Sequence, residues 1–202
     1  MSKEIRAFNF EIRANEEKAG RIEGRAIVYN EPTNMGWYDE IIEAGALDDT
    51  DLRDVRLLVN HNTDMIPLAR SRNNNENSTM QLSVDGEGLA IRADLDTENN
   101  AEAKSLYSAV ERNDLDGMSF MFRVDGDKWD DLDSEHPTRT ITSIAKVFEV
   151  SAVTWPAYEA TSISTRGLAD ALESAKASLE SARAEQRAIE RKKQKIKILA
   201  EM

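Results

Sequence analysis

The stretch Met80-Gln81-Leu82-Ser83-Val84-Asp85-Gly86-Glu87-Gly88-Leu89-Ala90-Ile91-Arg92-Ala93-Asp94-Leu95 decides the fold class. Residues 80–84 and 89–95 alternate apolar and polar side chains, the period of a half-buried strand. Between them, Asp85-Gly86-Glu87-Gly88 is a turn sequence, so the segment reads as a β-hairpin. The same period recurs outward in both directions. Residues 5–13 and 21–29 alternate, and 55–59 is a short apolar run. Residues 118–124, 138–147 and 149–155 complete a set of seven or eight strands. Two helices are expected within this series. One is short, around residues 38–46. The other covers residues 101–112, with Ala103, Leu106, Tyr107 and Val110 on one face and Asn99 or Asn100 as N-cap. A strand-rich chain of this kind predicts a mainly β fold, a barrel or sandwich decorated by helices.

The composition changes after Arg166-Gly167. From there the chain is rich in Ala, Glu, Lys, Arg and Leu, without Gly after residue 167 and without Pro. These are good helix formers. Leu168, Leu172, Ala175 and Leu179 make an apolar stripe at spacings of three and four. Residues 167–202 hold 8 Lys/Arg and 6 Asp/Glu, and residues 1–166 hold 18 and 32. The expected organisation is an acidic domain over residues 1–166 and a basic helical tail over 167–202. The tail reads either as a solvated helix or as a docking segment.

The chain of 202 residues has no Cys and only two His, His61 and His136. Disulfides, thiolate metal sites, a cysteine nucleophile and a three-imidazole site are thereby excluded, and no metal or other cofactor is expected. A net charge of −12 argues against nucleic acid as a partner. No run of ~20 apolar residues suggests a membrane span, and the N-terminus lacks an apolar signal segment, so no membrane association is expected. The acidic segment 125–133 fails the EF-hand pattern, because Trp129 stands at the third ligand position. It reads as an exposed loop. No phosphate-binding loop, dinucleotide fingerprint or G-x-S-x-G elbow is present.

Three residue types suited to acyl transfer remain. His61 leaves the apolar run 55–59. Ser119 sits in Gly117-Met118-Ser119-Phe120-Met121-Phe122, where alternation places it on the face opposite Met118 and Phe120. Glu149 lies in an apolar strand and needs a partner there. Each has a plainer reading: a packed histidine, a serine bonded to local backbone, and an ion pair of Glu149 with an arginine such as Arg139. Together, an acid that orients an imidazole and an imidazole that deprotonates a hydroxyl form a triad. His136 stands before Pro137 in a polar segment and reads as a surface residue.

Four segments carry a family resemblance. They are Ile22-Glu23-Gly24-Arg25-Ala26-Ile27-Val28-Tyr29-Asn30; Glu40-Ile41-Ile42-Glu43-Ala44-Gly45-Ala46-Leu47 followed by Val59-Asn60-His61-Asn62; Gly117-Met118-Ser119-Phe120; and Glu149-Val150-Ser151-Ala152-Val153-Thr154-Trp155-Pro156-Ala157. In this order they resemble the prohead, or capsid maturation, proteases of tailed bacteriophages, which are related to the herpesvirus assembly proteases. The resemblance spans roughly residues 5–166. It implies a closed herpesvirus-protease-like β-barrel with flanking helices. It implies a serine endopeptidase with Ser119 as nucleophile and His61 as general base. The third member is Glu149, with His136 as the alternative. Oxyanion donors are expected at the Ala157 or Tyr158 N–H. The implied substrates are the major capsid protein and scaffold segments, with self-cleavage, inside the assembling procapsid in the host cytoplasm. The herpesvirus relatives are dimers, so a homodimer is an open expectation. The competing expectation is a catalytically silent assembly factor on the same fold.

Overall fold

The computed structural model describes residues 3–8, 12–15, 17–154 and 165–200. Among these residues eleven strands and two helices follow one another. They are β1 (Glu4–Phe8), β2 (Ile12–Ala14), β3 (Arg21–Val28), β4 (Thr33–Asn34), β5 (Asp39–Ile42), β6 (Val55–Val59), β7 (Ala69–Ser71), β8 (Met80–Asp85), β9 (Gly88–Asp94), α1 (Ala101–Glu111), β10 (Gly117–Asp130), β11 (Thr138–Val153) and α2 (Thr165–Ala200). The hairpin β8–β9 forms as its turn residues require. Asp85 pairs with Gly88, and the Asp85 carboxylate accepts the N–H groups of Glu87 and Gly88 at 2.8 and 3.1 Å. Gly88 adopts φ 140°, and a Cβ there would stand 2.0 Å from the Ile27 carbonyl oxygen. Only glycine lets β3 approach this closely. α1 begins as expected, with the Asn100 side chain accepting from the Glu102 and Ala103 N–H groups.

Two sheets pack around the core. One joins β1, β10, β11, β5 and β4, and carries β6 and β7 on the same flank of β11. β11 is long enough to hold two partners on one edge: β5 runs parallel to Thr138–Ile141 and β6 runs parallel to Glu149–Ala152. The second sheet has the order β2-β3-β9-β8. Ile22, Ile27, Leu57, Leu89, Met118, Phe120 and Phe122 fill the space between them and are almost fully buried. Each such side chain stabilises the fold by about 1.5–3 kcal/mol through burial alone.

The expected closed barrel is not formed: among the described residues no sheet closes on itself. The reason lies at two seams. Between β7 and β8, Asn73 and Asn74 turn the chain at φ 58° and 53°. There the Asn74 side-chain amide, not a strand, bonds both backbone groups of Leu82, at 2.7 and 2.9 Å. The Thr79 N–H adds one bond to the Arg70 carbonyl at 3.0 Å. At the other seam a single bond runs from the Ile12 N–H to the Asp116 carbonyl at 3.3 Å. Side-chain bridges and isolated bonds stand where a barrel would have ladders.

Three local expectations also change. Residues 38–46 contain no helix. Tyr38, and Glu40 and Ile42 on β5, alternate inward, and turns follow. The segment 125–133 is not a loop up to Asp130, because β10 continues through it. Irregular pairing at Gly126 lets Trp129 turn inward while Asp127 meets Arg139 at 2.6 Å. The strands expected at 138–147 and 149–155 are one continuous strand, β11.

A buried cluster of charges explains why Glu40 belongs inside. Arg6 on β1 bonds both oxygens of Glu40 on β5, and Glu4 at 2.6 Å. Arg139 on β11 reaches Glu4 at 2.9 Å and Glu40 at 3.1 Å. Helix α2 closes the cluster. Ser174 donates to Glu4 at 3.2 Å, and Ser178 bonds Asp127 at 2.9 Å while accepting from the Trp129 indole at 3.0 Å. Ala175 and Leu179 pack beside Tyr38 and Trp129, and Trp37 stacks on Trp129 with ring centroids 5.8 Å apart. Burial pushes the Glu4 carboxyl up, but Arg6 and Arg139 outweigh it and hold the group below its ordinary value of 4.5. A lowered carboxyl stabilises the fold fully above that ordinary value. The contribution is lost as pH falls through the lowered one.

Removing one member of such a cluster strands its partners. Arg139→Met leaves Glu4, Glu40 and Asp127 with one fewer cation among them. It should destabilise the protein by about 3–5 kcal/mol, read as a lower urea midpoint with an unchanged slope. A loss below ~1 kcal/mol would mean that water reaches the cluster.

Candidate active site

The side chains at issue are set by strand alternation. On β10 and β11, Phe120, Val150 and Ala152 face the core, so Ser119, Glu149 and Ser151 share the other face. Ser119 stands directly opposite Ser151, and Met121 opposite Glu149. β6 runs beside β11 and delivers His61 just beyond its end. There the backbone turns sharply, with Asn60 at φ 51° and His61 at φ 55°. Such left-handed residues cost of order 1–3 kcal/mol each when they are not glycine. The surroundings enforce the turn. The Asn60 N–H bonds the Ala152 carbonyl at 3.0 Å, and the Asn60 amide oxygen accepts the Thr154 N–H at 3.1 Å. The His61 N–H donates to Ser151 Oγ at 3.1 Å.

Three groups meet here. His61 Nδ1 lies 2.5 Å from Glu149 Oε1, and His61 Nε2 lies 2.5 Å from Ser119 Oγ. Ser119 is fully buried, Glu149 is 3% exposed and His61 8%. Beside a carboxylate, the proton of a neutral imidazole sits on Nδ1. That leaves Nε2 as an acceptor for the serine hydroxyl. The arrangement can therefore take a proton from Ser119 and hold the resulting cation against Glu149. The Ser119 hydroxyl also lies 2.6 Å from the Arg6 carbonyl on β1. It has one proton and two acceptors, so the two compete for it. A groove of about 550 Å³ opens beside the His61 turn, between Val59, Asn60, Asn62 and Met65 on one side and Leu106 and Leu115 on the other.

The three residues singled out in the sequence are thus brought together. The plainer pairing of Glu149 with Arg139 does not occur, since Arg139 belongs to the buried cluster. His136 stands apart. Its Nε2 bonds Asp39 at 2.9 Å in a partly exposed pair just before β11 begins. Glu149 is eleven residues along that strand from its start, roughly 36 Å at about 3.3 Å per residue. Ala157 and Tyr158 lie outside the described residues. Two participants were not singled out beforehand: the Arg6 carbonyl and Ser151. Arg6 carries no local signal, because its contact depends on pairing across more than a hundred residues. Ser151 had one, its position two residues after Glu149 on the same strand face.

Comparison with curated proteins and with solved structures yields no match. The family model described as caudovirus prohead serine protease matches residues 8–174. That span contains the hydroxyl, the imidazole and the carboxylate just described, and by it this chain belongs to the caudovirus prohead serine protease family.

Proposed function

We propose that the protein is a serine endopeptidase that cuts capsid or scaffold segments, and itself, during procapsid maturation. The observation that carries this reading is the unbroken chain Ser119 Oγ–His61 Nε2 and His61 Nδ1–Glu149 Oε1, each link 2.5 Å. His61 takes the Ser119 proton as the oxygen attacks the scissile carbonyl carbon. A tetrahedral oxyanion forms, and its donors are assigned to the Ala157 or Tyr158 N–H. His61 then gives its proton to the leaving amine. Water repeats the sequence on the acyl-enzyme, with His61 again as base, and frees Ser119. Glu149 holds the imidazole in the tautomer the first step needs.

The far end of α2 belongs to this reading as a docking or trimming segment. Ile189, Ile196, Ile198 and Leu199 are exposed there among basic residues. Co-expression with the capsid protein of the same phage tests the whole. The capsid protein is expected to be shortened in assembled particles, and a fluorophosphonate probe to label the enzyme inside them. Full-length capsid protein with the wild-type enzyme, identical to that with Ser119→Ala, would favour a silent assembly factor. The assay belongs in particles, where enzyme and substrate are concentrated.

A further inference from the structure

Ser151 is the one buried hydroxyl of the site that the chemistry above leaves without a task. It is fully buried, and it sits near the C-terminal end of β11 with strand neighbours on both sides, Ser119 on β10 and Leu58 on β6. The two ladders already occupy the backbone there, so the hydroxyl is spare. It does not turn back on its own backbone, as a strand serine commonly does. Ser151 Oγ donates to Glu149 Oε2 at 2.6 Å and accepts the His61 backbone N–H at 3.1 Å. A hydroxyl has one proton and two acceptor positions, and these two bonds are compatible.

The result is a closed ring. The His61 backbone N–H points to Ser151, the Ser151 hydroxyl points to Glu149 Oε2, and Glu149 Oε1 receives the His61 Nδ1–H. The carboxylate is held at both oxygens, so it cannot rotate without breaking one bond. The left-handed backbone of His61 is held at the same time. One side chain thereby fixes both ends of the imidazole: the main chain that carries it and the acid that orients it.

We propose that Ser151 is a positioning residue, a fourth member of the hydrogen-bonded chain that sets the orientation of Glu149 and the seat of His61. The inference rests on the protease reading and deepens it. Ser151 touches neither the nucleophile's hydroxyl nor any reacting atom by these bonds. Its effect passes through its neighbours.

The test uses full-length enzyme in co-assembled particles and a fluorophosphonate probe, with the maximal labelling rate and the half-saturating concentration read separately. Ser151→Ala should lower the maximal rate about 10- to 100-fold, the loss usual when a group supporting a functional side chain is removed. The half-saturating concentration should stay within about threefold, since no probe contact is lost. Ser151→Thr keeps the hydroxyl and should recover most of the rate. Ser151→Val has the shape of threonine without the hydroxyl, and should match Ser151→Ala. This pair keeps the test sharp should alanine loosen the fold. In the free full-length protein, the low-field imidazole N–H resonance of His61 should move in Ser151→Ala and Ser151→Val, and stay in Ser151→Thr. Equal rates for the threonine and valine variants, or a wild-type rate for Ser151→Ala, would overturn the proposal and leave the protease reading intact. A wild type that the probe does not label would remove that reading, and this inference with it.

Discussion

Ser119→Ala is expected to lower the turnover number about 10⁶-fold, the loss seen when the nucleophile of a serine hydrolase is deleted. The reasoning is chemical. Among the residues that meet at the site, only Ser119 Oγ combines a hydroxyl with an imidazole nitrogen at 2.5 Å. Ser151 offers a second hydroxyl nearby, but its proton is committed to Glu149 and its oxygen to the His61 N–H. It cannot substitute. Stability should change little, because the lost bonds, to His61 and to the Arg6 carbonyl, leave two acceptors that a small rearrangement or a water can satisfy. The check is capsid-protein cleavage in co-assembled particles alongside a melting curve. Residual cleavage within tenfold of wild type, with unchanged stability, would sink the nucleophile assignment.

Glu149→Gln should reduce turnover about 10⁴-fold, the scale on which the wrong imidazole tautomer acts. Here the geometry says which way the new amide must point. The Ser151 hydroxyl donates toward the Oε2 position, and an NH₂ group placed there would leave that proton without its acceptor. The amide oxygen therefore turns to Ser151 and the NH₂ group faces His61 Nδ1. A donor opposite Nδ1 forces the ring proton onto Nε2, toward Ser119. The imidazole then donates to the very oxygen it should deprotonate. Two measurements separate this from simple loss of a charge. The Gln variant should keep its fold, and turnover should recover in part at higher pH, where hydroxide replaces the missing base. Turnover within tenfold of wild type would exclude the orienting role.

How much of this was legible in the sequence follows from the range of each interaction. The hairpin β8–β9 and helix α1 were, because turn and cap residues act on neighbours a few positions away. Ser119 and Glu149 were visible as polar residues breaking apolar strands, and alternation gave each its face. The short helix expected at residues 38–46 was misread for a definite reason. Ile41, Ile42, Ala44, Ala46 and Leu47 suit a helix, and nothing local says that Glu40 lies inside. Its partners, Arg6 and Arg139, are 34 and 99 positions away. β11 was divided in two because its long-range partners β5 and β6, rather than its own pattern, make it one strand. The open seam between β7 and β8 depended on Asn74, whose side chain acts as a strand edge only once Leu82 is beside it.

The buried charge cluster ties residue 4 to residues 139 and 174, so β1 meets elements more than a hundred positions further along the chain. On the ribosome this has a direct meaning. Among the described residues β1 has no strand partner until β10 has left the exit tunnel, and its Glu4 carboxylate has no complete setting until β11 follows. Glu149 and Ser151 arrive later still. A nascent chain of this protein therefore carries His61 and Ser119 before it carries Glu149 beside them. The Ser119–His61–Glu149 arrangement is complete only once β11 has emerged and paired with β10 and β6.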